Sequence, residues 1–174
     1  SAVRGFTTQA APLMALGASV TLQSTKSTRT VALKDFYTGV RKTVMQPDEM
    51  LVDISFPAME TTARGTFIKL ALRRVQAISI IDVALVLDTS TSLSTGLEAG
   101  SVKSASIALG AVAPTIIRAP EAEAYLVGKQ LTDDVLEEAA RLTRNACKPI
   151  DDIRGSAAYR SEMVRVCTLR GLKS

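Results

Sequence analysis

The stretch SIIDVALVLD, residues 79–88, decides the fold that this sequence predicts. Large apolar residues alternate along it and fall on one face of an extended strand: Ile81, Val83, Leu85 and Leu87. Asp82 falls on the opposite face. A strand that is apolar on one face needs neighbouring strands and a covering layer, and the flanking sequence predicts both.

Strand patterns flank this stretch on both sides. TFIKLALRR (66–74) alternates in the same way, with Lys69 on the face away from the apolar residues Ile68, Leu70 and Leu72. VKSASIALGAV (102–112) is typical of a returning strand, after a Ser-, Thr- and Gly-rich loop at 89–101. The three strands together predict an antiparallel meander.

Three helices are predicted after the strands. The first, 119–128, has Pro120 in its first turn and ends at Gly128. The second, 132–147, begins with Thr132 as its N-cap. Strands followed by helices predict an α+β fold, in which an antiparallel sheet packs against a C-terminal three-helix layer.

The third helix lies in RGSAAYRSEMVRVC, residues 154–167. Ser156 is placed as its N-cap, and the spacing predicts an inward stripe of Tyr159, Met163, Val166 and Cys167. Arg-Gly-Ser before a helix is also compatible with an anion site. Because caps are far commoner than anion sites, we interpret this segment as structural.

The sequence pattern of residues 1–58 predicts a separate, smaller unit. A helix that ends at Gly17 is followed by strands at 19–24 and 29–36. In MLVDISFP (50–57), Leu51, Asp53 and Ser55 alternate with Val52, Ile54 and Phe56, which is typical of a half-buried strand. The break PAMETTARG (57–65) is the predicted boundary, and it gives domains at 1–58 and 62–174.

Composition excludes several classes of function. The 174 residues include no His and two Cys twenty positions apart, so neither a metal site nor a disulfide framework is predicted. The net charge of +4 arises in the last 21 residues, whose arginines point in different directions along one helix, so no nucleic-acid surface is predicted. No apolar run reaches the roughly 20 residues of a membrane span, and we expect a cytoplasmic protein with two buried thiols.

Candidate catalytic groups are few. Lys69 is by default a solvated lysine on a strand, and the paired acids Asp151–Asp152 and Glu121/Glu123 are typical of capping or solvated positions. Catalytic carboxylates need burial to shift their pKa values, and no apolar pocket around these acids is evident from the sequence. The residues alone therefore predict no catalytic site.

Two motifs taken together resemble one family. IALGAVAPTIIRAPEAEAYLVGKQL (107–131) and DIRGSAAYRSEMVRVCTLRGL (152–172) resemble the C-terminal domain of the FAD-binding (medium) subunit of molybdenum hydroxylases, such as xanthine dehydrogenase and carbon monoxide dehydrogenase. FIKLALRRVQAISIIDVAL (67–85) resembles the family's strand–turn–strand. FYTGVRKTVMQPDEMLVDISFP (36–57) resembles the end of its second FAD-binding subdomain, so residues 1–58 would be a remnant of that subdomain.

The resemblance implies a cytoplasmic, multi-subunit oxidoreductase. In such enzymes a large subunit hydroxylates the substrate at a molybdenum cofactor, and electrons pass through iron–sulfur clusters in a small subunit to FAD and then to an acceptor such as NAD. Two positions match the family's flavin contacts. Leu51 corresponds to a residue that packs by the isoalloxazine, and Lys69 to a lysine near the flavin ring, where a cation would favour the anionic reduced flavin.

The sequence also departs from the family. The Gly-rich first FAD-binding portion has no counterpart in these residues, and RGFTT (4–8) has Thr8 where the second flavin motif has an Asp. We therefore expect this chain to bind FAD weakly or not at all. The alternative from another class is a non-enzymatic module that docks partner subunits and has no flavin of its own.

Overall fold

The sheet that carries residues 79–88 is a four-stranded antiparallel meander. The computed structural model describes residues 7–73, 77–90 and 100–174. The strands pair in the order β6-β7-β8-β9: β6 (Ala63–Ala71), β7 (Ser79–Thr89), β8 (Val102–Gly110) and β9 (Ile117–Arg118). The two-residue β9 was not predicted, because so short a strand has no periodicity. Most of the expected loop at 89–101 lies outside the described residues.

Three helices cover one face of this sheet: α3 (Pro120–Leu126), α4 (Asp133–Asn145) and α5 (Ala157–Leu172). Helix α3 packs on β8, α5 packs on β7, and α4 packs against both helices. The predicted apolar face of β7 lies in this core, together with Leu126, Leu136 and Val164 of the helices. The predicted α+β class, with an antiparallel sheet against a three-helix layer, is confirmed.

The N-terminal part builds two smaller sheets. Its elements are α1 (Thr7–Ala15), β1 (Ser19–Gln23), β2 (Thr28–Ala32), α2 (Leu33–Phe36), β3 (Tyr37–Gly39), β4 (Lys42–Thr43) and β5 (Met50–Ser55). Strands β2-β1-β5 form one antiparallel sheet, and β3 pairs with β4. The strand predicted at 29–36 is wrong in its second half, where one helical turn buries Leu33 and Phe36.

Helix α1 ends near Gly17, as the sequence predicted. Gly17 has φ of +70°, its N–H donates to the Met14 carbonyl at 3.1 Å, and the Ala18 N–H donates to the Leu13 carbonyl at 2.9 Å. This pair of bonds is a Schellman motif, which requires a left-handed residue after the helix. The motif turns the chain directly from α1 into β1.

Helix α1 covers the other face of the four-stranded sheet, where it packs on β7 and β8. Ala84 of β7 lies directly opposite Ala108 of β8, and both alanines share a core cluster with Ala11, Met14 and Ala15 of α1. Small side chains on both surfaces let the helix backbone approach the sheet closely. Strand β7 is therefore buried on both faces, and the face of Asp82 is not a solvated one.

A β-bulge changes the predicted faces of β5. The pairing with β1 shifts between Thr21 and Leu22, so that Val20 lies opposite Ile54 and Leu22 lies opposite Leu51. The extra residue, Val52, puts Leu51 and Ile54 on the same side. The strict alternation predicted for this strand is thus wrong, and Leu51 and Ile54 both pack towards the N-terminal core.

The inward stripe predicted for α5 is right only in part, because Cys167 is buried and Met163 packs against the core, but Tyr159 does not point inward. The buried residues are Arg160, Val164, Cys167, Thr168, Gly171 and Leu172, whereas Tyr159 is 44% exposed. Arg160 is 2% exposed, pairs with Asp152 and donates to the Ala111 carbonyl at 3.0 Å. Arg160 is buried although the spacing of apolar residues assigns an arginine to the surface.

Two smaller predictions fail at the ends of elements. Leu72 is 70% exposed because β6 ends at Ala71, before the alternation in the sequence does. Thr132 is the residue before α4, but its side chain makes no capping hydrogen bond. Thr132 therefore begins the helix through its extended backbone alone.

Replacement of Ala108 by Leu is expected to lower the free energy of unfolding by about 2–3 kcal/mol, because the added volume pushes α1 off the sheet. Urea unfolding at constant pH measures the change, with the exposed α5 substitution Ala158→Leu as a size-matched control. Equal stability of the two variants would contradict close packing of α1 on β8.

Replacement of Arg160 by Met is expected to lower the free energy of unfolding by about 2 kcal/mol, because it removes the buried guanidinium that pairs with Asp152 and donates to the Ala111 carbonyl. Hydrogen bonds from Arg154 and then from Arg160 hold the pKa of Asp152 well below its usual range. An NMR titration of Asp152 should therefore show its pKa rise in Arg160→Met and stay unchanged in the exposed control Arg170→Met. An unchanged pKa in both variants argues against the pairing.

Candidate functional site

Leu51 lines an apolar pocket of about 420 Å³ in the N-terminal part. Lining residues come from α1, α2 and strands β1, β3, β4 and β5, and they include Leu13, Val20, Leu33, Phe36, Tyr37, Met45, Met50 and Ile54. The bulge at Val52 directs Leu51 to this side of its sheet. The pocket offers aliphatic and aromatic side chains to a flat apolar ligand.

Glu49, the acidic residue that lines this apolar pocket, forms an ion pair with Arg29. Arg29 donates to Glu49 through Nε at 2.6 Å and through a terminal nitrogen at 2.9 Å. These hydrogen bonds, with one from the Gln46 N–H, lower the pKa of Glu49 to about 2. The pocket therefore carries no uncompensated negative charge from this residue near neutral pH.

Lys69 lies on the sheet face that α1 covers, in a row of three residues across the strands. It pairs with Asp82 of β7, and Asp82 pairs in turn with Gly110 of β8. A Cβ at position 110 would overlap the Asp82 carboxylate, so that carboxylate lies over Gly110. Lys69 is exposed and forms none of the ion pairs between described residues.

The structure does not bring Leu51 and Lys69 into one pocket. Lys69 is not among the residues that line the apolar pocket with Leu51. Helix α1 connects the two positions, because its Ala10 and Leu13 line that pocket and the helix packs on β7, the neighbour of the strand that carries Lys69. The flavin contacts expected at Leu51 and Lys69 stay predictions.

The RGS segment is a helix cap. Ser156 accepts a hydrogen bond from the Tyr159 N–H at 3.2 Å, and Asp151 accepts one from the Ala157 N–H at 2.6 Å. Asp152 binds the Arg154 backbone N–H at 2.8 Å and the Arg154 Nε at 3.0 Å. These bonds use the polar groups of the loop within the fold, which confirms the structural interpretation.

Glu123 is likewise structural. Its carboxylate accepts from the Ile107 N–H at 2.7 Å and from two Arg118 nitrogens at 2.9 Å each. It thereby ties α3 to strands β8 and β9. An acid that the sequence placed at a solvated helix start is in fact buried and fully bonded.

Comparison with protein families assigns both parts of the chain. The CO dehydrogenase flavoprotein C-terminal domain matches residues 66–174. The chain belongs to this family. The FAD-binding domain in molybdopterin dehydrogenase matches residues 8–59, the segment that contributes Leu51 and the apolar pocket.

Two of the curated relatives are medium chains of dehydrogenases. The glyceraldehyde dehydrogenase medium chain of Sulfolobus acidocaldarius is 30% identical over 161 residues, which is 92% of this chain and 54% of the relative. The carbon monoxide dehydrogenase medium chain of Afipia carboxidovorans is 32% identical over 161 residues, 92% of this chain and 53% of the relative. This chain thus spans about half the length of these relatives.

Solved structures of the family share the fold. A carbon monoxide dehydrogenase from Hydrogenophaga pseudoflava superposes with a TM-score of 0.85 and 31% identity, over 94% of this chain and 54% of that one. Quinoline 2-oxidoreductase from Pseudomonas putida 86 gives a TM-score of 0.79 and 27% identity, over 94% and 53%. The CO dehydrogenase flavoprotein architecture therefore extends over nearly all of this chain.

The described residues contain neither a metal-binding cluster nor a membrane-spanning helix. Among residues 7–73, 77–90 and 100–174, no cluster of three His, Cys, Asp or Glu side chains could hold a metal ion. Across the same part of the chain, none of the helices combines the length and apolar character that a bilayer span requires. Cys147 and Cys167 are free, and burial raises the pKa of both thiols, that of Cys147 to about 12.

Asp82 is another polar residue whose burial the sequence did not reveal. It is 1% exposed, and its Oδ1 has no hydrogen-bond partner among the described residues. Burial raises the pKa of Asp82 to about 6, a rise that the nearby Ser79 hydroxyl and Lys69 oppose. The alternation in 79–88 placed Asp82 away from the helices, but it contained no sign that α1 would cover that face.

Asp82→Asn is expected to stabilise this flavoprotein domain by about 2–3 kcal/mol at pH 8 and to have little effect near pH 4. Because the folded-state pKa of Asp82 lies above its ordinary value of 3.8, the folded state binds more protons, and wild-type stability falls as pH rises from about 4 to about 6. Urea unfolding across pH 4–8 measures this, with Asp48→Asn as the exposed control. A difference between Asp82→Asn and wild type that does not change with pH would refute ionisation as the cause.

Proposed function

We propose that this chain forms part of the FAD-binding medium subunit of a molybdenum-hydroxylase-type oxidoreductase. The observation that carries the proposal is the apolar pocket around Leu51, since it lies in the segment that matches an FAD-binding domain. In this proposal residues 1–58 contribute to the flavin domain and residues 62–174 form the C-terminal domain. The matched ranges, 8–59 and 66–174, support that division.

The residues present fit the ring of a flavin rather than the whole of FAD. The apolar pocket is lined largely by aliphatic and aromatic side chains, which suit an isoalloxazine edge. A Gly-rich loop for the pyrophosphate occurs nowhere in the 174 residues. Leu51 would pack against the ring, and FAD, when bound, supplies the redox chemistry by accepting and passing on electrons.

Lys69 would supply positive charge beside the ring. Lys69 is exposed and forms none of the ion pairs between described residues, so its side chain is accessible to a ligand. A cation near a ring that gains electrons stabilises the negative charge that develops there. In this proposal Leu51 excludes water from the ring while Lys69 sets the local electrostatic potential.

Relatives support a place in a larger complex. The similar proteins include medium chains of carbon monoxide dehydrogenase and of glyceraldehyde dehydrogenase. We propose a molybdenum-cofactor large subunit and an iron–sulfur small subunit as partners, an acceptor such as NAD, and a cytoplasmic location. The match of residues 8–59 to an FAD-binding domain favours this function over a docking module without flavin.

The test is titration of the purified 174-residue chain with FAD, followed by quenching of flavin fluorescence. We expect no stoichiometric flavin in the purified chain, and weak but saturable quenching on addition of FAD. Lys69→Ala should weaken binding about fivefold, since one surface cation near a charged ligand contributes about 1 kcal/mol. Leu51→Ala should weaken it to a similar extent through lost apolar contact.

Lys103→Ala is the matched control, because Lys103 is an exposed lysine of the same sheet, on strand β8. Its affinity for FAD should equal that of wild type. Equal affinities of Lys69→Ala and Lys103→Ala would remove Lys69 from the flavin site. Copurified stoichiometric FAD, or no quenching at all, would contradict a partial site in this chain.

A further inference from the structure

A second pocket, the Asp82 pocket, lies where the two parts of the chain meet, and its volume is about 290 Å³. Its walls come from the β3–β4 turn, the start of β7, the β8–β9 connection and the loop before α5. The lining includes Val40, Ile78, Ser79, Asp82, Ile116 and Arg154. It shares Tyr37 with the apolar pocket around Leu51, and neither Leu51 nor Lys69 lines it.

A β-bulge at the start of β7 builds the polar floor of this pocket. Leu70 pairs with Ile81, but Ala71 pairs with Ser79, so Ile80 is the extra residue. Residues three apart on a regular strand point to opposite faces, whereas a bulge between them puts both on the same face. Ser79 and Asp82 are thereby brought together on the face that α1 covers.

The two floor residues present hydrogen-bonding atoms without partners. Ser79 is 4% exposed and Asp82 is 1% exposed, yet Ser79 Oγ and Asp82 Oδ1 make no hydrogen bond to described residues. The Ser79 hydroxyl lies beside the Asp82 carboxylate and lowers its pKa, which opposes the rise that burial causes. Buried polar groups normally have partners, and an orphaned carboxylate destabilises the fold, so a ligand that bonds to it would remove that penalty.

The charges around the floor define what such a ligand can be. Arg154 is already paired with Asp152, and its Nη1 reaches the Ser79 carbonyl at 3.5 Å. Lys69 on β6 and Arg41 at the rim are further cations that face this region. A second cation would be disfavoured there, whereas a neutral N–H group can donate to the Asp82 carboxylate without added charge.

We propose that the Asp82 pocket binds a small planar ring whose edge carries an N–H donor beside a carbonyl acceptor, as in a cyclic amide. The N–H would donate to Asp82 Oδ1, and the carbonyl would accept from the Ser79 hydroxyl. Ile78, Ile116 and Pro114 give the ring apolar walls. Gly110 is required because any side chain at that position would displace the Asp82 carboxylate.

The test uses 2-pyridone, a cyclic amide, and N-methyl-2-pyridone, which lacks the N–H, with the 174-residue chain followed by ¹H–¹⁵N NMR. We expect 2-pyridone to shift the amide signals of Asp82, Ala111 and Arg154 saturably. N-methyl-2-pyridone should bind at least tenfold more weakly, because the donor to Asp82 is gone. Equal binding of the two probes, or binding of neither, would overturn the proposal.

Two variants separate binding from folding. Asp82→Asn should bind 2-pyridone at least tenfold more weakly while it is more stable than wild type at pH 8, a combination that a merely structural role would not give. Ser79→Ala should weaken binding and leave the sheet intact. Unchanged affinity in both variants would overturn the proposal.

Competition with FAD identifies the source of the ring. Displacement of 2-pyridone by FAD would mean that the cyclic imide edge of the flavin occupies the pocket. Retention of 2-pyridone in the presence of FAD would mean that a separate small molecule is the ligand. Both outcomes support recognition of an amide edge, and neither depends on the flavin contacts proposed for Leu51 and Lys69.

Discussion

The seating of helix α1 on the alanine pair of the four-stranded sheet is the contact on which the rest of the structure depends. Ala84 and Ala108 lie opposite each other in register, and larger side chains at either position would hold the helix away from the sheet. The helix closes the second face of β7 and also supplies lining residues to the apolar pocket. One close approach therefore joins the flavin-domain segment to the C-terminal domain.

The α1 contact contributes to the apolar pocket, and a β-bulge shapes each of the two pockets. The bulge at Val52 turns Leu51 towards the apolar pocket, and the bulge at Ile80 aligns Ser79 with Asp82. Asp82 lies on the same sheet face, beside the β3–β4 turn and the β8–β9 connection, and its carboxylate is a buried group with an unsatisfied oxygen. The buried Asp82 carboxylate is unfavourable for stability. It lies at the junction of the two parts of the chain, where ligand sites commonly form.

The sequence predicted the meander, the three helices and their order, because those elements are long and periodic. It misassigned Leu51 and Ile54 to opposite faces, since a bulge leaves no mark in apolar periodicity. It also missed Arg160, because the spacing of apolar residues cannot show a buried ion pair with Asp152. The flavin positions came from motif resemblance alone. The Asp82 pocket depends on the bulge at Ile80 and on the packing of the β3–β4 turn beside the β8–β9 connection, which sequence alternation does not encode.

Methyl nuclear Overhauser spectroscopy on alanine-labelled protein tests the α1 contact most directly. Seating of the helix predicts cross-peaks from the Ala11 and Ala15 methyl groups to those of Ala84 and Ala108, because all four residues belong to one buried cluster. Well-resolved spectra in which these cross-peaks are missing, while cross-peaks between Ala84 and Ala108 are present, would contradict it. That result would leave the sheet intact but would remove the helix that joins the two parts.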